Sequence, residues 1–277
     1  MFKREIIDRK DVVLRPVSPV HAAAPVLEPG LWEKNDPFLV MMEDRFQQGA
    51  FDVHPHRGME TVTFVIDGAI EHYDSHTGER GVLGPGDVQW MTAGSGVVHN
   101  EVPPQGVTAH VLQLWVNLPR DKKMTTPRYQ NLKGADMPVR QEKGAKIRVF
   151  SGSSRGVVSE TLNHVPVTMV EVNVEPGVSV SQDLPGSYQG FLYILEGSGV
   201  FGRNEVKASK GQVLRLGEGR EPESEIGIAA TAPLRLVLFA GEPLREPVVA
   251  RGPFVMNTEE EILQAYRDFR EGTFLRS

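Results

Sequence analysis

The sequence predicts an all-β protein: two jelly-roll β-barrels in tandem, followed by one C-terminal α-helix. Three observations carry that expectation. Short β-branched and aromatic runs recur at even spacing between turn residues, and the 277 residues include 28 Gly and 20 Pro. The order of runs across residues 61–96 returns in outline across residues 191–219, an internal repeat. One stretch near the C-terminus has a helical period behind a capping signal.

Residues 2–17 carry Ile6-Ile7 and Val12-Val13-Leu14 between charges and suit one or two edge strands. Residues 18–36, rich in Pro, Ala and Gly, read as loop. Pro37–Asp44 reads as a strand, and Thr61–Ile66 as another, ending in an Asp67-Gly68 turn. Ala69–Asp74 follows, then turns at Thr77-Gly78 and Gly84–Asp87, then Val88–Thr92. Val97–Glu101 returns as a short strand, and Ala109–Leu118 alternates between two faces. Residues 119–134 are polar with Pro near both ends and suit a linker. The second block holds strands at Ile147–Phe150, Thr168–Val174, Phe191–Glu196, Gly211–Leu216 and Leu234–Ala240. The expected division is 1–130 for the first barrel, 131–250 for the second, and 251–277 for a tail and helix. Thr258 caps that helix, Glu261 completes a capping box, and Ile262, Ala265, Tyr266 and Phe269 form its apolar stripe.

Hydrophobic content of 40% against 24% charged suits a packed core. Net charge is −6 and no run of five cations occurs, which argues against nucleic acid or an anionic membrane as a direct partner. The absence of Cys excludes disulfides, thiol catalysis and Cys-held metals. The N-terminal MFKREIIDRKDVVLRPV has no signal-type apolar core, and no apolar run approaches a membrane span, so a soluble, cytoplasmic protein is expected.

The chemistry concentrates in two clusters. Residues i and i+2 of a strand share a face, so His54 and His56 point together, and so do His99 and Glu101. If the two strands meet in one barrel, these four converge on one metal. Imidazoles with a carboxylate suit a borderline divalent ion rather than Mg or Ca. Four protein ligands in an octahedral field leave two positions for substrate, unlike a closed structural zinc site. Glu60 has the parity of His54 and His56 and is either a fifth ligand or an acceptor that orients an imidazole. His72 either lines the barrel or sits on a surface strand. His76 and His110 are read as structural, Trp90 and Met91 as core. Arg57 either neutralises a carboxylate, steers an anion, or is a solvated turn residue. In the second block, Asp183, Pro185 and Gln189 fall where the first has His54, His56 and Glu60, and Ser224 or Glu225 falls near the His99 position. That block therefore has a barrel pattern without a metal set.

The run HPHRGMETVTFVIDG, with EHYDSHTGERG and GPGDVQWMTAGSGVVHNE after it, resembles the pirin family of the cupin superfamily. QLWVNLP, PRYQ and the C-terminal GEPLREP and GPFVMNTEEEI are similar too. The resemblance implies a bicupin in which only the first barrel binds metal. It implies ligands at His54, His56, His99 and Glu101, and no principal ligand role for Glu60. The implied metal is iron(II), with Ni, Co, Mn, Cu or Zn as substitutes. The implied function is a quercetin 2,3-dioxygenase-like oxidoreductase that opens a flavonol with O2 and releases carbon monoxide, Glu101 serving as ligand and base. The alternative is a non-enzymatic iron-binding regulator of a transcription factor or metabolic enzyme, with a protein partner.

Overall fold

The computed structural model describes residues 1–74, 78 and 80–275; His76 and the Thr77 half of the expected turn lie outside them. Strands dominate, as the sequence predicts, and the chain divides into two compact units that are discontinuous in sequence. One comprises Leu14–Ala135 and Leu244–Ser277, the other Met1–Val13 and Asp136–Pro243. The linear boundaries at 130 and 250 do not describe this exchange of terminal segments.

The unit containing the histidine clusters has a seven-stranded and a four-stranded sheet. In the larger one, Met59–Asp67 lies between Val88–Thr92 and Ala109–Asn117, and Phe38–Phe46 follows on the far side of Ala109–Asn117. The smaller sheet orders His54–His56, Val97–Val102, Ile70–Asp74 and Arg80–Leu83. Phe46, Val65, Ala109 and Val111 of the larger sheet pack with Ile70 and Leu83 of the smaller. These are the inward members of alternating strands, the arrangement that buries a sandwich core. Trp90 and Met91 are fully buried, as expected.

Two expectations about connecting segments fail. Within 18–36, His21–Leu27 is a strand paired with Phe38–Phe46, and Trp32–Asn35 is a short helix. Within 119–134, Arg128–Leu132 pairs along its length with Val88–Thr92. Arg128–Leu132 is an edge strand with one neighbour and a weak apolar signal, whereas His21–Leu27 pairs on both sides and its Pro25 and alanines carry the loop reading.

The other unit repeats the plan with a seven-stranded sheet and a five-stranded one. Ile6–Asp11 pairs with Gln212–Leu216 as Arg128–Leu132 does with Val88–Thr92, so the N-terminal segment completes the larger sheet. Arg4, fully buried beside it, donates to Ser224 Oγ and to the carbonyls of Tyr188, Pro185, Gly186 and Gly217. Ser179–Pro185 pairs with Glu223–Ala230 in the register that His54–His56 keeps with Val97–Val102. Asp183 faces Glu225 as His54 faces His99, so Glu225 rather than Ser224 holds the His99 position.

The C-terminal segment is the anchor of the histidine-bearing strand. The helix Glu259–Arg270 has both capping-box bonds, and Ile262 and Ala265 bury against Phe254, Met256 and Phe274. Arg57, 2% exposed, donates to Ser95 O, Asp268 Oδ2 and Phe274 O, with its guanidinium 4.3 Å from the Phe274 ring centroid. It neutralises a carboxylate, one of the three readings open in the sequence. Gly58 follows at φ 81°, and a Cβ there would stand 1.9 Å from Val255 O, so only glycine passes. Lys123, also buried, donates to Gly58 O at 2.8 Å, Asn117 Oδ1 at 2.6 Å and Val255 O at 3.1 Å.

Replacing Arg57 by Ala is expected to cost about 3–5 kcal/mol in urea unfolding, because Asp268 and two carbonyls lose their donor. Burial alone would raise the Asp268 carboxyl, but Arg57 and Gln264 outweigh it and hold it below its ordinary value. A depressed carboxylate stabilises the fold above its unfolded pKa, about 3.9, and that contribution fades as pH falls through the folded value. The stability gap between the native chain and Asp268→Asn is therefore expected to be constant near neutrality and to close below about pH 4. A gap that widens on acidification would contradict this.

Candidate metal centre

His54 faces His99 across the antiparallel pair, and His56 lies two residues further along the same short strand. The three rings approach with centroids 4.7–5.1 Å apart. One nitrogen from each lies within 4.8 Å of the others, the spacing of a metal triad. His54 Nδ1 sits 2.8 Å from Asp52 O; donating there leaves Nε2 as the free lone pair. His99 has no hydrogen-bond partner on either nitrogen among the described residues. Neither does His56 reach hydrogen-bond geometry, although the Pro253 carbonyl lies near enough to favour its protonated form. Burial and the neighbouring imidazole of His54 nevertheless push His56 down to about 3. Burial and the other imidazoles hold His99 well below its ordinary value. Neutral imidazoles with open lone pairs are the form a divalent metal takes up, and buried polar atoms without partners are otherwise rare and costly. The residues fit such an ion.

Glu101 lies on the same cavity wall, outside that close triad. Its Oε1 accepts from Thr63 Oγ1 at 3.0 Å and its Oε2 from Gln113 Nε2 at 2.7 Å. Burial raises its pKa, with Thr63, His54 and Gln113 opposing. Thr63 and Gln113 escaped the sequence reading; a polar residue in the apolar strand Ala109–Asn117 was the available signal.

The readings for Glu60 are corrected. Its carboxylate accepts from Trp90 Nε1 at 3.0 Å and Thr92 Oγ1 at 2.7 Å, so it orients an indole and a hydroxyl rather than an imidazole. The parity count fails because the chain changes sheets at Gly58. His72 is buried, its ring centroid 5.4 Å from that of His99 and 4.6 Å from that of Tyr129, which settles the barrel-lining alternative. His110 bonds to Glu43 at 2.7 Å. Trp115 packs edge-on against His56 at 5.4 Å.

A cavity of about 490 Å³ opens at His54 and His56, lined also by Glu101 and by apolar groups such as Phe46, Phe51 and Val111. Asp44 also faces it and takes a 2.7 Å bond from His21 Nε2. Asp44 was read only as a strand residue; its pairing with His21 is a long-range contact that spacing does not reveal.

The pirin family model matches residues 27–116, and the pirin C-terminal cupin domain model matches residues 169–275. A pirin-like protein of Solanum lycopersicum is 42% identical over 241 residues, 86% of this chain and 81% of that protein. The chain belongs to the pirin family. Its two units are the two cupin barrels of that family, and the fold is a bicupin. Among solved structures, GK1651 from Geobacillus kaustophilus is 60% identical with a TM-score of 0.87, covering 89% of this chain and 99% of that one. Quercetin 2,3-dioxygenase from Acinetobacter baumannii is 30% identical with a TM-score of 0.86, covering 98% of each chain. Within this pirin, no described helix is long and apolar enough to cross a membrane.

Metal is expected to stabilise this pirin by mass action, about 4 kcal/mol at a thousandfold excess over Kd. Chelation by EDTA should lower the melting temperature and added divalent ion should restore it. His99→Ala should abolish that response and leave no bound metal by elemental analysis. A melting temperature indifferent to EDTA in metal-loaded protein would count against the triad.

Proposed function

We propose that this chain is a metal-dependent dioxygenase acting on flavonols such as quercetin. The observation that carries the reading is the cavity of about 490 Å³ that takes His54, His56 and Glu101 into the same wall as Phe46, Phe51, Ile70 and Val111. A planar substrate with adjacent oxygens and an aromatic body matches that mixed lining, and the volume falls in the usual range for small-molecule sites. A binding-only metal site needs no such space.

His54, His56 and His99 would hold the ion, with Glu101 as the fourth ligand. An iron(II)-type ion supplies Lewis acidity and a route for electrons between substrate and dioxygen. Glu101 is also the candidate proton acceptor. Thr63 and Gln113 each hold one of its carboxylate oxygens and so fix its orientation. Phe46, Phe51 and Val111 exclude water around the aromatic body. Asp44, backed by His21, places a second carboxylate on the wall.

Metal-loaded protein is expected to consume quercetin only with O2, seen as loss of flavonol absorbance with release of carbon monoxide. His99→Ala should remove metal and turnover together, and Glu101→Gln should lower kcat by about a hundredfold or more. No consumption and no carbon monoxide across iron, nickel, cobalt, manganese and copper would refute the reading.

A further inference from the structure

Beside the metal cavity is a second one of about 510 Å³. Its walls include Trp32, Leu39, Val40, Met42, Trp115 and Val255. No residue lining it carries a charge, and apart from the indoles its one polar side chain is Gln113. The Gln113 amide is already committed, donating to Glu101 Oε2 at 2.7 Å. An ionic ligand would shed its hydration here without a partner. Two indoles and a thioether instead offer flat, polarisable contact to a ring system. The volume suits a small molecule, and several wall residues, Trp32, Val40 and Met42 among them, are only half-buried, so the cavity is open to solvent.

Trp115 and Gln113 lie two apart on the strand Ala109–Asn117 and line both cavities. On the metal side, Trp115 stands edge-on to His56 and Gln113 holds Glu101. They form the partition between the two spaces. We infer that the second cavity binds an uncharged planar aromatic molecule of about two to three rings, and that this binding is coupled to the metal centre through Trp115 and Gln113. A ring stacked in the second cavity limits the movement of the indole that backs His56 and of the amide that positions Glu101. Such coupling is reciprocal: the ligand changes metal affinity by the factor with which metal changes ligand affinity. Turnover of a flavonol is not required for either effect.

The probe is N-phenyl-1-naphthylamine, uncharged and fluorescent in apolar surroundings, titrated into the full chain with and without zinc(II). A single saturable site is expected. Ala250→Asp places a carboxylate on the wall of the second cavity, and Trp32→Ala removes one indole; each should weaken the probe about tenfold or more. Ala50→Asp, on the metal-cavity wall, should change its affinity by less than about twofold. All three are checked for native circular dichroism and cooperative melting, and Trp32→Ala serves if Ala250→Asp does not fold. Saturating probe should shift zinc(II) affinity by about fivefold or more, read by calorimetry, with the same factor in the reverse titration. If Ala50→Asp alone weakens the probe, it occupies the metal cavity and the assignment is overturned. Probe affinity that falls as sedimentation shows dimer forming also overturns it, since a second copy then fills the space. Identical zinc(II) affinity with and without probe overturns the coupling.

Discussion

The structure turns on three imidazoles gathered in a barrel where two of them have no hydrogen-bond partner among the described residues. Burial keeps His56 and His99 neutral at physiological pH, so mutual repulsion is avoided but their lone pairs are left unsatisfied. Each such group costs on the order of 1–3 kcal/mol unless something accepts it. A divalent cation is the natural acceptor. The three-residue strand His54–His56 that brings the rings together has one strand partner and could not hold them alone. Its position comes from the turn that follows. Arg57 ties that turn to the C-terminal helix, Gly58 lets it pass close to Val255, and Lys123 joins both backbones through one ammonium. Two buried basic side chains, Arg57 next to His56 in sequence and Lys123 far from it, thus set the ligand geometry.

The second barrel clarifies what this arrangement is for. It keeps the register that would align a ligand set, with Asp183 opposite Glu225. Arg155 crosses that place, its backbone donating to Asp183 and its guanidinium pairing with Glu225. One arginine thus satisfies both carboxylates, Asp183 through its backbone N–H and Glu225 through its guanidinium. The same backbone therefore supports a centre in one barrel and an ion pair in the other, and the difference lies in a handful of side chains.

Much of this was legible in the sequence wherever a rule acted within one strand. The two-residue parity placed His54 with His56, the capping box located the C-terminal helix, and the repeat anticipated two similar barrels. The parity rule gave the wrong role for Glu60, because it was carried across Gly58, where the chain changes sheets. The strand at 128–132 was hidden because an edge strand needs little apolar surface, and that at 21–27 because its proline and alanines read as loop. Lys123 read as a linker lysine, since two of its three acceptors, the Gly58 and Val255 carbonyls, come from distant segments and leave no local trace. The exchange of terminal segments between the units was invisible for the same reason: pairing of Ile6–Asp11 with Gln212–Leu216 is set by contacts about two hundred residues apart.

X-ray absorption at the edge of the bound metal tests the central claim most directly, because multiple scattering counts imidazoles. Protein loaded with a single divalent ion should give three imidazole ligands with oxygen completing the shell, falling to two or to no bound metal in His56→Ala. A shell of oxygen alone, or of one imidazole, would contradict the account.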